Sequence, residues 1–364
     1  MTNQPDRHLS YAEAGVDTDA AARGLAALLG WVRRTEAYRT GLGAPLVPNG
    51  FFANVLGMTD RLSLAISTDG VGSKSAVAQL AGRYESIGWD AVAVNVNDVV
   101  CVGAEPAALV DYISLQAPHP DLLEQLGKGM HDAAQRAGVA IVGGELSQHP
   151  DTLTGPRPGY AFDISGTCVG TLEGRAPITG AGIRPGDAIL GLPSNGIHAN
   201  GLTLARRVLL EGEGAVDAVL PECGRTVGEE LLRPTHVYVP EALALLRAGV
   251  EVRGLAHISG DGLLNLTRFD ADVTYRFDAL EEPGGVFGVI AERGGVDAAE
   301  MWRVFNMGIG FCVVVAPEQV DRAQEAIASM GGASSVIGQV RAQTGRRVEL
   351  VAQRLVGQDG RFSA

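Results

Sequence analysis

The sequence has little cysteine and almost no lysine. Its 364 residues include four cysteines, and only two of the 29 basic residues are lysine, Lys74 and Lys128. The cysteines, at positions 101, 168, 223 and 312, lie far apart and form no C-x-x-C pair, so we expect buried free thiols and no zinc site. Because arginine is the ordinary cation of this chain, a lysine beside glycines and an acid marks a candidate functional loop.

Long apolar runs and an excess of positive charge are also absent. The longest uninterrupted apolar run, residues 311–316, is far shorter than the roughly 20 residues of a membrane span. The first residues, MTNQPDRHLSYAEAG, lack the basic start and apolar stretch of a signal peptide, which predicts a cytoplasmic location. The net charge of −13 argues against a general nucleic-acid or anionic-membrane surface, so we expect neither as a partner.

The composition and the order of the predicted elements indicate a globular protein of two domains. With 46% hydrophobic and 20% charged residues, a chain of this length can bury two cores. Strands and helices mix without strict alternation, so we predict an α+β fold divided into residues 1–172 and 173–364. The predicted strands are 62–66, 107–115, 139–142, 162–172, 188–192, 252–256, 272–277 and 308–315, and the predicted helices are 85–101, 121–137, 201–211 and 235–248.

The first candidate site is the DGVGSK loop, residues 69–74, at the end of a predicted strand. Gly70 and Gly72 allow a tight turn whose amides can face phosphate oxygens. Lys74 can neutralise a phosphate, and Asp69 can hold Mg²⁺. The alternative is a tight turn with an incidental lysine. The chain has no Walker A loop and no G-x-G-x-x-G after a strand, which disfavours the common nucleotide-binding folds.

Further acids and amides follow in the same predicted domain. On the helix 85–101, Asp90 and Asn97 are seven residues apart and share a face, with Asp98 beside them. Such a stripe suits a hard cation bound with phosphate, although Asn and Asp also bond locally near helix ends. Asp111 lies in a strand, and Glu145 follows a predicted turn at Gly143 and Gly144. The acids Asp69, Asp98, Asp111 and Glu145 together match the needs of a phosphate-bridging metal site.

Three glycine-rich loops mark the second predicted domain. The SNGIHANG loop, residues 194–201, leads into a helix whose free amides and dipole can seat an anion such as a sugar phosphate. The alternative is a capped loop, with Asn200 as the cap. The HISGDG loop, residues 257–262, and the FNMGIG loop, residues 305–310, complete the set. His198 and His257 are the histidines with glycine-rich neighbours, which favours them modestly as functional residues.

Taken in order, these segments resemble one known enzyme family. The segments are YAEAGVD at 11–17, DGVGSK at 69–74, NDVVCVGAEP at 97–106 followed by VDY at 110–112, GGE at 143–145, SNGIHANG at 194–201, HISGDG at 257–262 and FNMGIG at 305–310. The series is similar to phosphoribosylformylglycinamidine cyclo-ligase, or aminoimidazole ribonucleotide (AIR) synthetase, of purine biosynthesis. The similarity covers nearly the whole chain. It is more specific than any single motif.

The resemblance implies a fold and a reaction. The expected fold is a two-domain AIR synthase-like one, with an N-terminal ATP-binding domain that forms a β-barrel across a homodimer and a C-terminal α+β domain. The expected reaction is the ATP-dependent cyclisation of formylglycinamidine ribonucleotide to aminoimidazole ribonucleotide, with release of ADP and phosphate. ATP would phosphorylate the formyl oxygen, and the neighbouring nitrogen would then displace phosphate. The protein would supply positioning and charge neutralisation.

The resemblance also implies roles for particular residues. It predicts Asp69, Asp98 and Glu145 as Mg²⁺ ligands and His198, His257 and Lys74 as catalytic residues. The predicted ATP-binding residues are Asp69, Gly70, Gly72, Ser73, Lys74, Asn97, Asp98, Asp111, Gly143, Gly144 and Glu145. The predicted residues for the phosphoribosyl substrate are Ser194, Asn195, Gly196, His198, Asn200 and Gly201.

Two other functions remain open at this point. The chain departs from the family pattern at Ser73, at 146–158 and in HISGDG, and relatives such as thiamine-monophosphate kinase share the acid-rich site. The first alternative is therefore a related kinase or synthetase that acts on another small acceptor. The second is a protein that binds ATP without chemistry.

Overall fold

The computed structural model describes residues 10–364. Residues 1–9, which begin the segment judged above to lack a signal peptide, lie outside the described residues. The helices are α1 Thr18–Val32, α2 Lys74–Ala81, α3 Glu85–Cys101, α4 Pro120–Ala137, α5 Leu202–Leu209, α6 Val227–Leu231, α7 Val239–Arg247, α8 Val286–Gly294, α9 Ala298–Val304 and α10 Val320–Ser329. Short 3₁₀ segments occur at Arg33–Tyr38, Ala215–Asp217, Gly262–Arg268 and Pro317–Gln319.

The strands form two large sheets and one small hairpin. They are β1 Ala44–Pro45, β2 Asn54–Gly57, β3 Leu62–Gly70, β4 Glu105–Leu115, β5 Ala140–Gln148, β6 Phe162–Glu173, β7 Ala188–Pro193, β8 Val219–Leu220, β9 Arg225–Thr226, β10 Val252–His257, β11 Thr274–Phe277, β12 Ile309–Val315, β13 Ser335–Arg341, β14 Arg347–Leu350, β15 Leu355–Gln358 and β16 Arg361–Ser363.

The first sheet has the strand order β1-β2-β3-β6-β4-β5 and is antiparallel except between β4 and β5. In β6 every second residue from Phe162 to Leu172 is buried, and the residues between them are not. This alternation means that one face packs on helices and the other is uncovered. The uncovered face carries exposed apolar side chains, including Ile66, Val110 and Tyr112.

The second sheet has the order β10-β12-β7-β13-β11-β14-β15-β16 and is antiparallel except between β11 and β14. Its central strands are almost continuously apolar: β7 reads AILGLP and β12 reads IGFCVVV, and both are buried along most of their length. A strand that is buried on both faces is expected to have this composition. The small hairpin pairs β8 with β9.

Helix α3 joins the two sheets. It packs against β3 and β6 of the first sheet and against β10 of the second. Because it is enclosed on several sides, its apolar residues are not confined to one stripe, and most of its residues are buried. The buried polar residues Asp90, Asn95 and Asn97 are the exceptions in this apolar helix.

Most of the predicted elements are confirmed, and the α+β class is confirmed with them. Helix α3 has the predicted bounds, and β4, α4 and β6 match within two residues. Two local predictions are wrong. The predicted turn at Gly143 and Gly144 is part of β5, because both residues pair in parallel with β4. The helix predicted from residue 235 begins at Val239.

The cysteines form no disulfide within the described residues. All four cysteines are free, and three of them are buried as predicted, whereas Cys223 is half-buried. No helix in residues 10–364 has both the length and the apolar composition needed to cross a membrane. The domain boundary predicted between residues 172 and 173 stays a prediction; β6 ends at Glu173 and β7 begins at Ala188.

Candidate functional site

Two of the predicted acids lie in one row across the first sheet. Asp69 of β3 pairs with Gly166 of β6, which pairs with Asp111 of β4, which pairs with Gly144 of β5. A side chain at Gly144 would collide with the Asp111 carboxylate, because an added Cβ would lie 2.5 Å from Oδ1. The glycines between and beside the acids therefore leave room for the carboxylates on the helix-packed face.

Asn95 of α3 holds the start of the DGVGSK loop in place. Its Oδ1 accepts from the Asp69 amide at 2.9 Å, and its Nδ2 donates to the Asp69 carbonyl at 3.1 Å. A Cβ at Gly166 would lie 2.8 Å from the same Nδ2, so only glycine allows this close approach. The sequence analysis missed Asn95. A buried amide in an otherwise apolar helix was the available signal.

Asp98 joins the acid row to the second sheet. His257, at the end of β10, lies with its Nδ1 2.9 Å from Asp98 Oδ1. The imidazole is buried, and the carboxylate is nearly so. A neutral histidine in this contact carries its proton on Nδ1 and donates it to the carboxylate, which fixes the ring and leaves Nε2 as an acceptor. The structure thus brings His257 and Asp98 together, although 159 residues separate them.

Loss of hydration dominates the electrostatics of the acid row. Asp69 retains contact with solvent, but the surrounding protein removes part of its water shell. This loss of hydration, and secondarily the negative charge of Asp98, raises the pKa of the Asp69 carboxyl, although His257 and Arg268 act in the opposite direction. Burial likewise raises the pKa of the Asp111 carboxyl. Partly dehydrated carboxylates without an ion-pair partner are suited to binding a cation.

The glycine-rich loops of the second part of the chain meet beside these acids. Ser194 donates to Asn306 Oδ1 at 2.9 Å, and Asn306 donates to the Gly196 carbonyl at 2.9 Å, so the SNGIHANG and FNMGIG loops are tied together. Asn200 lies next to Gly260 of the HISGDG loop. Helix α5 begins after Gly201, which has a φ of 74° and occupies the cap position without a side-chain bond, so Asn200 is not the cap.

A direct contact links the SNGIHANG side to the DGVGSK loop. The Ser73 and Thr203 hydroxyl oxygens lie 3.0 Å apart. Gly72, with a φ of 64°, provides the left-handed turn that precedes α2. The predicted phosphate loop and the predicted sugar-phosphate loop therefore face each other across one junction.

The His198 ring is buried and accepts a hydrogen bond from the backbone of its own loop. Its Nε2 accepts from the Asn195 amide at 3.0 Å, and the His236 amide lies 3.5 Å from the same atom. Burial, with nearby positive groups, lowers the pKa of the His198 imidazole well below its usual range. The ring is thus neutral, and its accepting nitrogen is already used by the backbone. These bonds orient the loop through Nε2, whereas Nδ1 has no hydrogen-bond partner among the described residues. The catalytic role of His198 stays a prediction.

Lys74 is enclosed within the protein and does not face an open phosphate site. Its side chain has 0% exposure, and its Nζ lies 2.5 Å from Asp90 Oδ2, which is equally buried. Nζ also donates to the Arg233 carbonyl at 2.6 Å, and Asp90 Oδ1 accepts from the Thr235 amide at 2.6 Å. This placement differs from the phosphate contact predicted for Lys74.

Asn97, like Lys74 and Asp90, bonds to the backbone of residues 233–238. Its Nδ2 donates to the His236 carbonyl at 2.8 Å, and its Oδ1 accepts from the Tyr238 amide at 2.9 Å. The predicted shared face of Asp90 and Asn97 is confirmed, since both hold the segment 233–238, which we name the bridge segment. Their predicted role toward a cofactor is not supported by these contacts. The bonds also explain why the helix starts only at Val239: the bridge backbone pairs with α3.

Glu145 is separated from the other acids. It pairs with Tyr112, one residue beyond the Asp111–Gly144 pair, so its side chain lies on the uncovered face of the sheet. Its Oε1 accepts from the Leu146 amide at 2.9 Å. Gly143 pairs with Val110. Within one chain, the structure does not bring Glu145 to Asp69 and Asp98, because alternate strand residues point to opposite faces.

The comparisons with known proteins identify the family. Residues 52–172 match the model of the AIR synthase related protein, N-terminal domain, and residues 184–351 match the corresponding C-terminal domain. The chain belongs to the AIR synthase related family, as the sequence motifs predicted. Among curated proteins it is 44% identical, over 94% of its length and 97% of the relative, to a phosphoribosylformylglycinamidine cyclo-ligase from Methanothermobacter thermautotrophicus. It is 43% identical to the cyclo-ligase of Thermococcus kodakarensis over 94% and 98% of the two chains.

Solved structures confirm the fold at lower identity. Thiamine-monophosphate kinase from Stenotrophomonas maltophilia superposes with a TM-score of 0.58 and 22% identity, covering 88% of this chain and 95% of the kinase. The hydrogenase maturation protein HypE in complex with ATP gives a TM-score of 0.57 and 20% identity, covering 80% and 82%. The predicted two-domain AIR synthase-like fold is therefore confirmed.

Proposed function

We propose that this protein catalyses the ATP-dependent closure of formylglycinamidine ribonucleotide to aminoimidazole ribonucleotide, with release of ADP and phosphate. The observation that carries the proposal is the identity of 43–44% to cyclo-ligases over nearly the full length of both chains. The geometry is compatible with it. An acid row in one domain faces glycine-rich loops of the other. A reaction in which ATP must be held next to a second phosphorylated substrate needs such a junction.

On the first side of the junction, Asp69, Asp98 and Asp111 are the residues we assign to the ATP phosphates through Mg²⁺. The donor set fits the ion: carboxylates short of positive charge are hard oxygen ligands, and Mg²⁺ typically combines one or two of them with phosphate oxygens and water. The described residues contain no ready cage of three or more His, Cys, Asp or Glu. When bound, Mg²⁺ would neutralise phosphate charge.

His257 and Asp98 act as a pair in this proposal. The Nδ1 contact to Asp98 at 2.9 Å keeps the ring in one orientation. The charge of Asp98 stabilises the imidazolium should Nε2 take up a proton. We assign proton handling to His257 and orientation to Asp98. His198 is assigned a positioning role, because its Nε2 already accepts backbone bonds.

On the second side, the SNGIHANG loop is assigned to the phosphoribosyl substrate. Ser194, Asn195, Gly196, Asn200 and Gly201 provide its backbone and side-chain groups. Thr203, two residues after Gly201, contacts Ser73 of the DGVGSK loop. Bonds to Asn306 hold this loop in a fixed conformation before any ligand binds. Such preorganisation lowers the entropic cost of bringing the two substrates together.

The uncovered face of the first sheet supports the proposal of a homodimer with a barrel formed between subunits. The edge strand β5 is exposed along nearly its whole length and has no partner on its outer side among the described strands. Val142 and Leu146 on this strand are exposed, as are Val110 and Tyr112 of β4. Exposed apolar strands at a sheet edge favour pairing with another chain. Glu145 lies in this region and would belong to the interface.

The test is a coupled assay with purified protein, Mg²⁺, ATP and formylglycinamidine ribonucleotide. The proposal predicts ADP and aminoimidazole ribonucleotide in a one-to-one ratio, and neither product when the ribonucleotide is left out. ADP formation with a different acceptor and none with this ribonucleotide would indicate the related kinase or synthetase. Binding of ATP without turnover of any acceptor would indicate a non-catalytic nucleotide-binding protein.

A further inference from the structure

A groove borders the Ser73–Thr203 contact, because Thr203 is one of its lining residues. It encloses about 550 Å³ and is lined by residues from several separate parts of the chain. Leu80 of α2 and Pro156 of the loop before β6 form part of its wall. Helix α5 contributes Thr203, Arg206 and Arg207. The groove is therefore bounded by both domains at the place where the two predicted substrate loops approach each other.

Arg206 is unusual among the arginines of this acidic protein. Its Nε is buried and has no hydrogen-bond partner, and no carboxylate of the described residues appears as its ion-pair partner. Burial lowers the pKa of its guanidinium, with no neighbouring acid acting in the opposite direction. Glu211 also lines the groove, but the pKa of the Arg206 guanidinium is lowered by burial and not raised by this carboxylate. The buried Nε of this half-buried guanidinium is therefore a donor that an anion could accept from.

The position of Arg206 on α5 connects it to the reaction site. Arg206 follows Thr203 by three residues, so the two side chains lie on the same face of the helix. Thr203 contacts Ser73 of the DGVGSK loop at 3.0 Å. An anion held by Arg206 would thus lie about one helical turn, roughly 5 Å, from that contact. Arg207, the next residue, also lines the groove but is exposed.

We propose that Arg206, together with Thr203, binds a phosphoryl group of a substrate in this groove. The guanidinium fork matches two oxygens of a phosphate, and the threonine hydroxyl can donate to a third. The phosphoryl group belongs either to ATP or to the ribonucleotide, both of which are required by the proposed function, on which this inference rests. The assignment makes Arg206 a binding residue that none of the sequence motifs indicated.

The first experiment does not depend on the reaction. Binding of inorganic phosphate and pyrophosphate is measured by calorimetry with the wild-type protein, Arg206→Met and the control Arg341→Met, which removes an exposed arginine of β13 away from the groove. We expect Arg206→Met to weaken anion binding by about 10- to 100-fold, because a charge-assisted hydrogen bond is lost, and Arg341→Met to change it less than about twofold. Equal binding by all three proteins would overturn the proposal. This outcome can be read whether or not the proposed function is correct.

The second experiment identifies the source of the phosphoryl group. Steady-state kinetics give separate KM values for ATP and for formylglycinamidine ribonucleotide. A selective rise in the ATP value assigns the site to the nucleotide, and a selective rise in the ribonucleotide value assigns it to the 5′-phosphate. Unchanged KM values for both would overturn the proposal. Arg206→Lys keeps the charge but not the fork, so an intermediate effect is expected; it also serves if the methionine variant does not fold.

Discussion

Two polar regions flank α3, and they use the same residue types in opposite ways. In the clamp formed by Lys74, Asp90 and Asn97, charges and amides are paired with one another or with the bridge backbone. In the acid row, burial raises the pKa values of Asp69 and Asp111, and neither carboxylate forms a salt bridge within residues 10–364. The first region stabilises the junction, and the second is the region that we propose binds a ligand. Residue type alone does not separate the two.

Replacing Asp69 by Asn tests the acid row and should have the largest effect. We expect activity to fall by about 10³-fold, since a phosphate-binding site loses a charge that acts in a partly dehydrated place. The amide oxygen can still accept the Gly70 amide, which donates to Asp69 Oδ1 at 2.7 Å, so the fold should be retained. Steady-state kinetics and circular dichroism check both points. Asp60→Asn, in the exposed turn between β2 and β3, is the control and should remain fully active.

Breaking the clamp should affect stability more than chemistry. Lys74→Met alone leaves the Asp90 charge buried and unpaired, and we expect a loss of about 3–5 kcal/mol in the free energy of unfolding. The double variant Lys74→Met with Asp90→Leu removes both charges and should recover much of that loss. Urea unfolding measures the stabilities. If the stable double variant lost ATP binding completely, Lys74 would have the phosphate role predicted from the sequence.

The exposed edge strand β5 of the first sheet can be tested by introducing a charge. Val142, with 65% exposure on the edge strand, becomes buried in the proposed dimer, so Val142→Glu should shift the protein toward monomer by desolvating a carboxylate. Val219, also 65% exposed but on the β8–β9 hairpin, is the matched control. Sedimentation velocity distinguishes the species. A wild-type monomer, or a dimer unaffected by Val142→Glu, would contradict this interface.

The smallest expected effect concerns pH. A raised pKa means that the folded protein holds the Asp69 proton more tightly than the unfolded chain does. Its contribution to stability is therefore present in acid and is lost as the pH rises through the folded-state pKa. Asp69→Asn should be slightly more stable than the wild type at neutral pH, and the difference should vanish in acid. Thermal unfolding across this pH range provides the measurement, and a variant less stable at neutral pH would contradict the shift.

The sequence by itself determined the elements and the family. Strand alternation and helical spacing depend on local periodicity, so β6 and α3 were predicted within a residue or two. The motif series DGVGSK, SNGIHANG and HISGDG identified the family before any contact was known, because short loops that bind ligands tolerate few residue types. The Asp98–His257 pair was not predicted as a contact, although both residues were chosen.

Only the tertiary structure decided which of the chosen residues are exposed to a ligand. The rarity of lysine and the neighbouring glycines favour Lys74 as a phosphate-binding residue. In the structure, a buried carboxylate from α3 holds it inside the junction. Glu145 was selected for the glycines before it, yet strand pairing places it on the uncovered face of the sheet. Nothing in the sequence distinguishes Arg206 from the other arginines. Its buried Nε without a hydrogen-bond partner is a property of the packed groove. Local sequence sets periodicity and turn chemistry, whereas burial and pairing depend on residues that are distant along the chain.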